Sequence, residues 1–188
     1  ENASTMKYAL SVLSIICALG LARAQSPTGS LVMRTLLDHI EGEILPPLDG
    51  DYRPVRIFDN PIQKYHWAIG STREQLEVRF LVIPDEGQGV MDYPHLEASR
   101  LAMQVCSNEP DAAITARDLT EEERTDLFHA DWGRIFMFPP NQQFGLYVHC
   151  KMIALFRENR GMIVIFQLFD EPSPAIDSRL HTFQFLEG

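Results

Sequence analysis

Lysine is scarce in this chain: its 188 residues include Lys7, Lys64 and Lys151 and no other, and the arginines are scattered singly. Nucleic acid and anionic lipid are held by clustered cations, so this scarcity, with a net charge of −10, argues against either as a partner. Catalytic and cofactor motifs are missing too. There is no Gly-x-Ser-x-Gly elbow to present a serine nucleophile and no glycine loop to cradle a phosphate. No two histidines stand in a His-x-x-x-His or His-Glu-x-x-His pattern, the spacing that aims two imidazoles from one helix face at a metal. The acidic stretch Asp85 to Asp92 and the turn Asp49-Gly50-Asp51 match no EF-hand loop in length or alternation, and solvated turns account for both. Neither a metal nor an organic cofactor is expected.

Long apolar runs are equally few. The clearest lies at the N-terminus: Met6-Lys7, an apolar stretch from Tyr8 to Leu21, then Ala22-Arg23-Ala24. That is the layout of a secretory signal peptide, with small residues at the positions a signal peptidase requires and cleavage between Ala24 and Gln25. The run is shorter than the roughly 20 residues that cross a hydrocarbon core, and Arg23 closes it, so no stable membrane anchor is expected. Glu1 to Thr5 read as sequence upstream of an initiator Met6. Residues 1–24 are thus expected to be removed, 25–29 to form a flexible lead-in, and 30–188 to fold as one domain in the periplasm or outside the cell. The removed part takes Lys7, Arg23 and Glu1 with it, which leaves the remainder more acidic, at −11.

Cysteine is as rare as lysine, at three residues, and Cys17 falls in the removed segment. Export leaves Cys106 and Cys150, and an isolated pair in an oxidising compartment is expected to form a disulfide. The neighbours His149-Cys150 resemble a nucleophile with its base, but adjacent strand residues point to opposite faces, so this His cannot serve this Cys.

The rest of the chain is rich in strand signals. Leu36, Leu37, Ile40 and Ile44 recur at helical spacing after Ser30, predicting a helix from Leu31 to Ile44 that Pro46-Pro47 ends. Three strands follow, at Tyr52–Phe58, Ile62–Ile69 and Gln75–Ile83, as an antiparallel meander; Leu76, Val78, Phe80 and Val82 share the inner face of the last. Pro94 opens a second helix with the apolar stripe Ala98, Leu101, Ala102 and Val105. A short strand near Ala113–Ala116 precedes Thr120-Glu121-Glu122-Glu123, a capping-box pattern for an acidic helix ending near Ala130. Strands at Arg134–Phe138, Leu146–Phe156, Met162–Phe169 and Thr182–Leu186 complete the chain, with Glu158 to Gly161 as a hairpin turn. Hairpin connections outnumber strand-helix alternations. The expected fold is α+β, an antiparallel sheet of about six to eight strands with two or three helices packed on it and one disulfide pinning the second helix to the sheet.

Three functional readings follow. The leading one is a noncatalytic exported domain that binds a protein or a small ligand. Its contact stripe is expected at Tyr147, His149 and Lys151 on the outer face of the long strand, with Trp132 nearby. Phe136, Phe138 and Phe144 are assigned to the core. The alternative is a small exported hydrolase with acidic residues, or His129, Asp131 and His149, as acid-base groups, the latter requiring those side chains to converge. The third is a structural or assembly partner, which a large exposed apolar patch favours.

Overall fold

Strand Gly161–Phe169 shows how the molecule is built, because all nine of its residues are buried. Met162, Val164, Phe166 and Leu168 belong to one apolar cluster, while Ile163, Ile165 and Phe169 belong to another on the opposite face. A nearly continuous apolar run is what a strand covered on both sides requires. In the computed structural model, which describes residues 27–87 and 92–187, this strand lies at the centre of a three-layered α+β fold. The expected signal peptide and the Cys17 it contains lie outside the described residues, as do residues 88–91 of the acidic loop.

The elements, in chain order, are α1 (Pro27–Ile40), β1 (Gly42–Ile44), β2 (Arg53–Pro54), β3 (Trp67–Ser71), β4 (Leu76–Pro84), α2 (Pro94–Val105), β5 (Thr115–Asp118), a π-helical turn (Glu123–Leu127), β6 (Trp132–Phe138), β7 (His149–Arg157), β8 (Gly161–Phe169), α3 (Pro174–Ser178) and β9 (Phe183–Phe185). Seven strands form one antiparallel sheet in the order β2-β3-β4-β8-β7-β6-β5, and β1 pairs with β9 in a separate two-stranded ribbon. The ribbon and α1 cover one face through Met33, Ile40, Phe183 and Phe185. On the other face lies α2, whose Ala98, Leu101, Ala102 and Val105 are all buried as the stripe predicts.

The hairpin β7-β8 forms as expected, and the three meander strands pair antiparallel, but β2 is cut from the expected Tyr52–Phe58 to Arg53–Pro54 and β3 moves from Ile62–Ile69 to Trp67–Ser71, into residues expected as turn. At the second hairpin Asn159 (φ 60°) and Gly161 (φ 124°) take the left-handed backbone that closes a tight turn. A side chain at Gly161 would be driven into the backbone of Ile83 and Pro84. The capping box is also present: Glu123 N–H donates to Thr120 Oγ1 at 3.1 Å and Thr120 N–H to Glu123 Oε2 at 2.9 Å. It opens a short π-helical turn rather than a longer α-helix.

Three expectations are corrected. The first helix begins at Pro27, inside the expected lead-in, and stops at Ile40 because Glu41 turns left-handed (φ 48°) and 42–44 pair with β9. The long strand starts at His149 instead of Leu146, since the Val148 N–H donates to the Asp170 side chain at 3.1 Å and Leu146 stays 84% exposed. Thirdly, Cys106 and Cys150 are both free and buried. Cys106 bridges to Pro140, in line with β6, while Cys150 pairs with Phe138 on the other side of that chain. The backbone of β6 and its extension therefore runs between them, and two strand spacings amount to roughly 10 Å. A disulfide needs Cα atoms within about 7 Å. What holds α2 to the sheet is its apolar stripe and the bridge to Pro140, not a covalent bond.

Candidate functional site

His129, Asp131 and His149 do not come together. His129 sits left-handed (φ 51°) before β6, its Nδ1 donating to the Phe185 carbonyl at 2.8 Å, which ties β6 to β9. The Asp131 carboxylate accepts the Glu158 N–H at 2.7 Å and so caps the β7-β8 turn. His149 lies at the far end of β7, its ring tilted against Phe169 with centroids 5.4 Å apart. Because Trp132 pairs with Phe156, the seven strand steps from His149 to Phe156 put roughly 23 Å between His149 and the Asp131 region. No shared substrate atom spans that length. Burial pushes both thiols up, Cys150 most strongly, which removes the thiolate a nucleophile needs. Among the described residues no group of three or more His, Cys, Asp or Glu could hold a metal ion.

The contact stripe divides. Trp132 is half-buried at the edge of the α2 layer, and Tyr147 precedes β7 and turns to that same layer, its hydroxyl donating to Glu77 Oε2 at 3.0 Å. Lys151 faces the other layer and lines a cleft of about 430 Å³. His149, on the same face of β7, packs against Phe169, which is part of the cleft wall.

The cleft arises where the covering layer runs short. On this face α1 packs on β3 and β4, the ribbon is tied to the far end of β6 and β7 through Phe185 with Phe128 and Leu186 with Arg157, and at the opposite end Ser173, Ile176 and Asp177 of α3 and its cap close over β5, β6 and β7. Ser173 caps α3 and Pro174 opens it, which drops Ile176 into the core cluster and leaves Asp177 at the rim. Apolar surface comes from Ile135, Met137, Phe169 and Ile176. The polar groups are unequal in how far they are committed. Arg117 is clasped by Glu123 through two bonds of 2.7 and 2.8 Å. Among the described residues Lys151, with a side chain 12% exposed, holds only Asp177 at 3.2 Å, and Asp177 is 83% exposed. An ammonium has three donors, and an ion pair with an exposed partner contributes little, so most of the binding capacity of Lys151 is unspent. Directly across the ladder from Lys151, Gln167 is fully buried; its Nε2 donates to the Arg179 carbonyl at 2.5 Å, while its Oε1 has no partner among the described residues.

Two other polar clusters are internal clamps. Arg179 grips Glu74 through bonds of 2.7 and 3.0 Å and pairs with Asp49 at 3.0 Å, and Tyr52 donates to Glu74 at 2.6 Å. The Arg179 guanidinium pulls the Glu74 carboxyl down to about 2. Asp51 accepts from Ser71 and Thr72 and from the Arg73 N–H, so the Asp49-Gly50-Asp51 turn spends its carboxylates within the protein. On the α2 side Arg79 lies between the Tyr65 and Phe144 rings, 4.7 Å from each centroid, and donates to Glu77 at 2.6 Å and to the Phe144 carbonyl.

The sequence pointed to Lys151 but not to Phe169, Ile176 and Asp177 around it. The signal for α3 was present in Ser173-Pro174, a cap followed by a first-turn proline, but five residues are too few to show a periodicity. No helix among the described residues is long and apolar enough to cross a membrane. Comparison with protein-family models, with curated proteins and with solved structures finds no match to this chain.

Proposed function

We propose that this is an exported, noncatalytic binding protein that takes a small ligand into the cleft between α3 and strands β5 to β7. The observation that carries the reading is Lys151: a nearly buried cation, held by one exposed carboxylate, in an otherwise mainly apolar cleft. Pockets that bind small molecules combine apolar walls with a few placed polar groups, and about 430 Å³ lies in their usual range of roughly 300–1,000 Å³. Support for a noncatalytic role comes from the separation of His149 from Asp131 and from thiols held protonated by burial. Support for export comes from the residues between Met6 and Ala24.

A thermal-shift screen of small organic molecules against the chain from Gln25, repeated on Thr115→Trp, tests the site. Thr115 is exposed at the cleft rim, so the indole fills the opening without touching the core. Compounds that stabilise the parent and not the variant are the expected result. Stabilisation that persists in Thr115→Trp places binding elsewhere and refutes the proposal. N-terminal sequencing of protein collected from the culture medium or periplasm is expected to begin at Gln25.

A further inference from the structure

We infer that the ligand is a small amphipathic anion, a carboxylate with a compact apolar body; this rests on the cleft being the binding site and names the chemistry it selects. The chain is strongly acidic, with −11 expected after export, and beyond the signal segment it has two lysines. One of these, Lys64, is on the surface with its side chain 80% exposed. The other is enclosed in the cleft beside Phe169 and Ile176. A cation in such surroundings is desolvated and is stabilised by a carboxylate whose own charge is better shielded from water than that of Asp177.

Charge and shape agree on the occupant. An incoming carboxylate meets Lys151 with Asp177 as its competitor, and Asp177 loses little when displaced because water already covers most of it. The apolar body then lies against Met137, Ile135, Phe169 and Ile176, which removes hydrocarbon surface from water on both partners. A neutral molecule of the same shape gains the second contribution alone. An amine meets Lys151 as a like charge. The negative field of the whole chain disfavours anions at long range, so selection depends on the local cation and weakens only modestly with salt, since the pair is largely enclosed.

Calorimetric titration with octanoate, 3-phenylpropionate, 1-octanol and octylamine, on the parent chain and on Lys151→Met and Asp177→Asn, tests this. Both carboxylates are expected to bind the parent at least about tenfold more tightly than octanol, the ratio a charge-assisted hydrogen bond supports. Lys151→Met is expected to remove that preference while octanol binding stays or improves. Asp177→Asn, a change at an exposed position, is expected to strengthen carboxylate binding several-fold by removing the competitor. Octanol or octylamine binding as tightly as the carboxylates overturns the anion class while leaving the cleft as a binding site. Weaker carboxylate binding in Asp177→Asn also overturns it. No binding by any of the four at millimolar concentration overturns both the class and the cleft reading.

Discussion

Arg79→Met is the most informative test of how the α2 layer is held. Arg79 is 7% exposed, and the side chain of its partner Glu77 is 13% exposed. Methionine fills much of the space between Tyr65 and Phe144 but donates nothing. The Nε bond to Glu77, the bond to the Phe144 carbonyl and both ring contacts disappear. Removing one member of a buried pair destabilises by about 3–5 kcal/mol, chiefly because the remaining charge stays buried. Glu77 keeps the Tyr147 hydroxyl at 3.0 Å, which places the expected loss near the lower end, about 3 kcal/mol. For a domain of this size that corresponds to roughly 6–12 °C in Tm. The double variant Arg79→Met, Glu77→Gln removes the stranded charge, keeps an acceptor for Tyr147 and is expected to recover about 2 kcal/mol. Urea denaturation of the parent, both single variants and the double variant provides the measurement. Arg79→Met within about 1 kcal/mol of the parent, or a double variant no more stable than Arg79→Met, refutes the reasoning.

Other outcomes follow from the same structure. Arg179 and Arg117 hold the Glu74 and Glu123 carboxyls down at about 2 from the ordinary 4.5. Carboxyls lowered on folding add stability above their unfolded value, so it is expected to be intact above about pH 5 and lost as pH falls from 4.5 toward 2. Acid titration followed by circular dichroism measures this, and Arg179→Met is expected to flatten the acid limb; an unchanged limb contradicts the Glu74 contribution. Alkylation of the chain from Gln25 without reductant is expected to label Cys106 and Cys150 slowly when folded and both completely in urea. A mass that shows no labelling in urea would mean that they are bridged and that β6 does not separate them.

The parts of the fold that were legible in sequence are those whose residues repeat a period long enough to read. The β4 alternation from Leu76 to Val82 and the α2 stripe from Ala98 to Val105 are local patterns, each set of apolar residues facing one layer. Strand β8 was found as a strand, but its burial on both faces follows from the two layers that cover it. Ribbon strands β1 and β9 have three residues each and exist because of each other, across a separation that no local pattern records. Tyr147 is displaced from its stripe by Glu77, seventy positions earlier in the chain, and the disulfide expectation failed for a similar reason. Spacing and compartment suggested a bridge, while strand pairing decided what lies between the cysteines. Lys151 was legible as a cation on the outward side of the strand, whereas the cleft around it depends on where α3 and β5 stop.

The most direct measurement of the central claim is amide chemical-shift mapping in ¹⁵N-labelled protein titrated with octanoate. A saturable response centred on Thr115, Met137, Lys151, Phe169 and Ile176, with α2 unaffected, is the result predicted by the cleft lining. A response centred on α2 and the loop carrying Phe144, or none up to millimolar octanoate, would contradict it.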